Sequence, residues 1–208
     1  MDNFQNTLLL ENQYDGIIEI ILNRPNSKNS LSKDLIKALR TKLRSLSNEN
    51  NVRCIIISSK GNVFCSGHDL KELSTLNDVN KYEEIFSNCS KLMLEIQNQP
   101  QPVIAKIQGV ASAAGCQLVA SCDLAVASDK SKFITPGVDI GLFCSTPMVP
   151  ISRTVGKKKA LEMLYTGEPV NAQTALSIGL INKVTSEKDL SKESELLAKK
   201  ITSKSKKI

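Results

Sequence analysis

The chain has 208 residues, 41% of them hydrophobic, enough for one sizeable core, and no shift in composition divides it into independent halves. Its single histidine, His68, excludes a histidine-rich metal centre, and six cysteines with no C-x-x-C pair indicate neither a zinc site nor a disulfide framework. The net charge of +6 comes largely from lysines at 157–159 and from residue 188 onward, but 4% aromatics and no Trp give no stacking platform for nucleic acid. No apolar run reaches membrane-spanning length, and the first 23 residues carry no Lys or Arg, unlike a basic transit peptide.

In chain order, residues 7–10 and 16–22 predict two short strands joined at Tyr14-Asp15-Gly16. Ser32 is placed to cap a helix in which Leu35, Leu39, Leu43 and Leu46 recur at helical spacing, and the β-branched run 52–58 predicts a buried strand. Residues 61–72 form a turn region in which Gly67 is free to take a backbone angle that other residues resist and Asp69 stands at a helix start. A longer helix begins at Asn77 or Asp78. Its expected buried stripe is Val79, Tyr82, Phe86, Cys89, Met93 and Ile96, and Pro100 and Pro102 stop it.

The stretch Gly109-Val110-Ala111-Ser112-Ala113-Ala114-Gly115-Cys116-Gln117-Leu118 follows the apolar run 103–107 and reads as a strand, a small-residue turn and the start of a buried helix. Small side chains let a ligand approach the backbone, and the first amides of a helix have no acceptor within it. A thioester carbonyl seated there would find N–H donors for negative charge developing on its oxygen. Beyond this stretch, 123–127 predicts a strand, 133–140 a loop around Pro136-Gly137, 157–165 and 172–178 helices, and 180–184 a short strand. Residues 188–208 carry a partial helical stripe of Leu190, Leu196, Leu197 and Ile201 before a lysine-rich tail. The glycine-bearing turns at Gly67 and Gly115 indicate a recurring β-β-α unit, with two backbone turns facing one ligand.

Asn23-Arg24-Pro25 with Asn29-Ser30-Leu31, Phe64 through Leu70, Gly115-Cys116-Gln117-Leu118, Cys122-Asp123-Leu124 and Thr166-Gly167-Glu168 occur in the order and spacing of the enoyl-CoA hydratase/isomerase, or crotonase, superfamily. The chain resembles that family from about Leu8 to Val184. The resemblance implies an α/β crotonase-type spiral of repeated β-β-α units, a core domain over 1–185, and a partial C-terminal helix with a lysine-rich tail over 186–208. It also implies a mitochondrial protein of fatty acid metabolism that assembles in full-length form as a homotrimer or hexamer, an assembly weakened by C-terminal truncation. The chain stops where the family's further C-terminal helices would begin, so a truncated helical layer is expected, with apolar surface exposed around Leu164, Leu180 and the last helix. The implied ligand is an acyl-CoA thioester, with no metal and no separate cofactor. Its oxygen would lie between the backbone amides of His68 and Ala114; His68, Asp69, Leu70 and Lys71 would lie along pantetheine and adenine, with Lys28 and Lys71 beside phosphate.

Hydratases of this family use two glutamates, and the corresponding positions here hold Gln117 and Gly137. Glutamine can orient a water but cannot exchange a proton near neutral pH, and glycine can do neither. Each positioned acid or base contributes about 10²- to 10⁴-fold, so the expectation is a retained oxyanion site with most hydratase activity lost. Three groups stand as replacements: Asp139, as a swinging carboxylate or a loop cap; His68, titrating near neutrality or present for its amide; and Asp69, facing the pocket or starting a helix. The functions left open are an acyl-CoA decarboxylase or thioesterase acting through an oxyanion, and a non-catalytic acyl-CoA-binding or hetero-oligomer partner subunit.

Overall fold

The structure, a computed structural model, describes residues 7–205. The chain opens with a hairpin of β1 (Leu9–Tyr14) and β2 (Ile17–Leu22), turning at Asp15 and Gly16, both with positive φ. The first strand therefore starts at Leu9 and runs up to the turn, further along than its apolar residues indicated, because Glu11, Asn12 and Gln13 pair on an exposed edge. Helix α1 (Lys33–Leu46) follows, capped by Ser32, whose hydroxyl accepts the Leu35 N–H, and it buries Leu35, Leu39, Leu43 and Leu46 as the spacing predicts.

A β-β-α unit then recurs three times. The first comprises β3 (Cys54–Ser59), β4 (Val63–Cys65), α2 (Leu70–Ser74) and α3 (Val79–Gln97); the second comprises β5 (Val103–Ile107), β6 (Val110–Ser112) and α4 (Ala114–Ser121). The third has β7 (Leu124–Ser128), β8 (Lys132–Ile134), a 3-10 turn at Pro136–Ile140, α5 (Ser145–Thr154) and α6 (Lys157–Thr166). The described chain ends with β9 (Val170–Asn171), α7 (Ala172–Ser177), β10 (Lys183–Thr185) and α8 (Leu190–Thr202). In each unit the first strand enters a six-stranded sheet, ordered β1-β2-β3-β5-β7-β10, and the second enters a four-stranded sheet, ordered β4-β6-β8-β9. Successive units are packed so closely that a Cβ on Gly109 would stand 1.9 Å from the Asn62 carbonyl oxygen. Only glycine fits there.

The large sheet is covered on both faces, which is why β2 and β3 read as nearly continuous apolar runs. One face packs on α1, α3 and α4 through the main core; the other packs Ile17, Ile56, Ile104 and Val126 against Leu190 and Ala198 of α8. On that second face Glu19 is buried and accepts from Lys106 at 2.5 Å and from Ser58. No helix among the described residues is long and apolar enough to cross a membrane.

Several expectations are corrected. Residues 103–112 hold two strands, β5 and β6, where one was expected before the turn, and the region read as a loop at 133–140 contains the end of β8 and a 3-10 turn. Helix α5 is concealed in the sequence by Pro147 and Pro150; Pro147 lies in its first turn, where the lost N–H is an unpaired one, and Pro150 lies inside it. The buried stripe of α3 is Ile85, Cys89, Leu92, Met93 and Ile96, whereas Val79 and Phe86 are exposed because the first turns overhang the core. Leu164 and Leu180 are themselves buried, whereas Ile140, Leu142, Phe143, Val149, Tyr165 and Leu176 are among the exposed apolar side chains. In α8, Leu196 is exposed beside the buried Leu190.

Candidate functional site

Strands β4, β6 and β8 run parallel, with Cys65 opposite Ala111 and Ser112 opposite Ile134, so their C-terminal ends lie side by side. The carboxyl ends of parallel strands are where open α/β sheets bind ligands. Each strand ends in a turn: Ser66-Gly67-His68-Asp69 before α2, Ala113 before α4, and Thr135-Pro136-Gly137 after β8.

The first two turns touch. Gly67 has φ +93, and a Cβ on it would lie 2.9 Å from Ala113 Cβ and 3.3 Å from the Ala114 nitrogen; a Cβ on Gly115 would lie 2.1 Å from the Cys65 carbonyl oxygen. Both glycines are thus set by close approach of one turn to the other. On either side of His68, Gly67 O accepts from Leu31 N–H at 2.7 Å and Asp69 N–H donates to Leu31 O at 3.3 Å. Neither the His68 N–H nor the Ala114 N–H, the first of α4, has an acceptor among the described residues. Ala113 holds φ +49 and ψ −117, a conformation costly for a residue with a Cβ. It is fixed by its own N–H to Ile134 O at 2.8 Å and by Gln117 N–H donating to its carbonyl at 3.0 Å.

The Asn23 to Leu31 motif braces the first turn. Asn29 adopts φ +51, is fully buried, and donates through its side chain to Lys60 O and Val63 O, both at 2.8 Å. The Arg24 guanidinium bonds Ser30 O and the Asp69 carboxylate, the latter at 2.9 Å, while Ser30 Oγ donates to the same carboxylate. Asp69 also caps α2 by accepting the Glu72 N–H. Burial acts to raise the Asp69 carboxyl, but the bonds from Arg24, Glu72 and Ser30 outweigh it and hold its pKa below the ordinary value. Asp69 is a brace and helix cap. The expectation of a pocket-facing replacement base at Asp69 is corrected accordingly.

His68 packs its ring edge-to-face on Phe86 at 4.8 Å, and neither ring nitrogen has a partner. Burial pushes its pKa down to about 4, so titration near neutrality is also corrected: the imidazole is neutral at pH 7. Gln117, one turn into α4, is 4% exposed, and its Oε1 lacks a partner. Asp139 is exposed, with its carboxylate 3.2 Å from where a Cβ of Gly167 would stand, at the C-terminus of α6. Gly137 is buried; a Cβ on it would lie 2.8 Å from Leu142 O and 2.9 Å from Cys144 Sγ, so a bulkier residue requires residues 142–144 to move. Lys28 is exposed, but its carbonyl accepts the Ser66 N–H at 3.1 Å, which sets its backbone behind the first turn. Leu70 and Lys71 project from α2 into solvent.

The structure thus brings the His68 and Ala114 turns together, with Asp69 bracing the first and Gln117 buried in α4, and it leaves Asp139 and Lys71 at the periphery. Sequence reasoning missed Phe86 as the cover of His68, Cys144 beside Gly137, and the strained Ala113. The run of small residues was the available signal for Ala113; the contacts of Phe86 and Cys144 join distant segments and have no local signature.

The sequence profile of the family Enoyl-CoA hydratase/isomerase matches residues 12–208. The chain is 53% identical over 191 residues to the Homo sapiens protein called enoyl-CoA hydratase domain-containing protein 3, mitochondrial, a match covering 92% of this chain and 63% of that protein. It spans 63% to 65% of the length of the human, rat, mouse and Xenopus laevis proteins of that name. Among solved structures, it superimposes on an enoyl-CoA hydratase from Mycobacterium smegmatis with a TM-score of 0.94 at 44% identity, covering 97% of this chain and 79% of that one. The crystal structure of the human domain-containing protein 3 gives 0.93 at 51% identity, with 96% and 79% covered. With the three-fold β-β-α spiral and its meeting turns already described, a profile match over nearly the whole chain makes the assignment direct: the chain belongs to the enoyl-CoA hydratase/isomerase family.

Proposed function

We propose that this chain binds an acyl-CoA thioester, with the carbonyl oxygen between the N–H groups of His68 and Ala114, and that it does not hydrate an enoyl double bond by a two-glutamate route. The observation that carries this reading is the contact of the two turns, with a Cβ on Gly67 only 3.3 Å from the Ala114 nitrogen and both N–H groups left without acceptors. Such donors, fixed before a ligand arrives, stabilise charge developing on an oxygen. Gln117 holds a hydrogen-bonding position without proton transfer. On this reading residues 1–185 carry the ligand-binding core, and α8 beyond them covers the second face of its large sheet. The names of its relatives place them in mitochondria, and on this reading the chain is likewise a mitochondrial protein, of fatty acyl-CoA metabolism, whose full-length form assembles as a homotrimer or hexamer.

A second reading, decarboxylation, is favoured by the engagement of Asp69 with Arg24, which leaves that carboxylate tied up. Loss of carbon dioxide generates an enolate without a base removing a proton from carbon, so an oxyanion site alone serves it. The test of the main reading is crotonoyl-CoA hydration by the unmodified chain and by Gln117→Glu. No turnover by the unmodified chain, with measurable turnover in the variant, is the expected result; turnover by the unmodified chain above a blank preparation assigns the proton chemistry to another group and overturns the loss of hydratase activity. The further change Gly137→Glu needs a folding control, since its Cβ meets Leu142 O at 2.8 Å.

A further inference from the structure

We propose that the imidazole of His68 is a specificity-determining group that recognises an uncharged hydroxyl on the acyl chain of the ligand; this rests on the acyl-CoA reading above. Both ring nitrogens are shut off from solvent and without partners, and the ring packs edge-to-face on Phe86. Phe86 is itself 39% exposed, and Leu70 on α2 and Val79 on α3 are 61% and 72% exposed, so the flank against which the ring packs lies at the surface. A buried polar atom left without a partner raises the energy of the unliganded protein, and a ligand that supplies the partner recovers that energy as affinity.

The ring hangs from the Cα whose own N–H lies at the meeting of the two turns. A thioester carbonyl held at that N–H lies within one side-chain length of the ring, the reach a substituent on its neighbouring carbons needs to meet a nitrogen once the ring turns from Phe86. A neutral imidazole has one N–H and one lone pair. A hydroxyl both donates and accepts, so it pairs with either nitrogen in either tautomer; a carboxylate answers only the N–H and an ammonium only the lone pair. Gln117 Oε1, one turn beyond Ala114, is a second orphaned acceptor in the same neighbourhood.

His68 is the chain's single histidine, so its imidazole nitrogens give an unambiguous NMR signal. Those signals are followed, together with dissociation constants, for butyryl-CoA and for 2- and 3-hydroxybutyryl-CoA. The expected result is that one hydroxyacyl ligand binds about ten-fold tighter than butyryl-CoA and moves an imidazole nitrogen that butyryl-CoA leaves in place. In His68→Phe the ratio of the two constants falls to near one, whatever happens to absolute affinity, and in His68→Gln part of the preference remains. Equal binding of the three ligands overturns the inference and leaves the acyl-CoA reading standing. So does movement of the same nitrogen by butyryl-CoA, which would assign its partner to pantetheine. Absence of binding by every thioester removes both. If His68→Phe does not fold, the nitrogen spectra of the unmodified protein decide.

Discussion

Acidification from pH 6.5 to 4 is expected to cost the fold about 3 kcal/mol through His68 alone. An unfolded chain takes up a proton on this imidazole near 6.5, whereas in the folded protein burial lowers its pKa to about 4. Between those values the unfolded state binds more protons, so stability falls as pH falls, and the contribution is fully present only above 6.5. Each pKa unit corresponds to about 1.4 kcal/mol, which gives the stated magnitude. The assay is urea unfolding at intervals between pH 7 and 4 for the unmodified chain and for His68→Phe, which keeps an aromatic ring against Phe86. Carboxylates such as Asp69 and Glu19 titrate in both proteins and cancel in the comparison. The unmodified chain should lose about 3 kcal/mol more than the variant over this interval, at unchanged denaturant slope. Parallel losses would show that the ring is not buried as described.

Three further outcomes follow from the packing. Gly115→Ala places a Cβ 2.1 Å from the Cys65 carbonyl oxygen, and because backbone must move to relieve it, the urea midpoint should reflect a loss of about 3 kcal/mol or more. Arg24→Ala removes the partner of a mostly buried Asp69 carboxylate; a loss of about 1–3 kcal/mol is expected, with faster amide exchange at 66–70 than at the α1 core. Glu19→Gln leaves the Lys106 ammonium without its counter-charge beneath α8. Thermal unfolding should register a loss of about 3–5 kcal/mol, diminishing at acid pH as the unmodified carboxylate itself becomes protonated.

Much of this fold is legible locally. The leucines of α1 and its Ser32 cap fix one helix, and the isoleucines of β2 and β3 mark strands buried on both faces. The glycines at 67 and 115 mark turns, and the structure shows why: each faces the backbone of the other turn. What local pattern does not carry is orientation. Phe86 fits the helical stripe as well as Ile85 does, and only the overhang of α3 sends Phe86 onto His68. Asp69 reads equally as a base or a cap until Arg24, 45 residues earlier, is found on its carboxylate. Helix α5 is concealed because proline chemistry argues against a helix, and packing on α4 overrides it. At the candidate site the identities of His68, Ala114 and Gln117 are read from sequence, whereas the neutrality of the imidazole and the isolation of its nitrogens come from burial.

Whether the N–H groups of His68 and Ala114 are poised for a thioester oxygen is decided by calorimetric titration with butyryl-CoA and with its thioether analogue, which lacks that oxygen. Both should bind saturably, with the thioester about ten-fold tighter or more. Equal affinity for the two, or no binding of either, would contradict that arrangement.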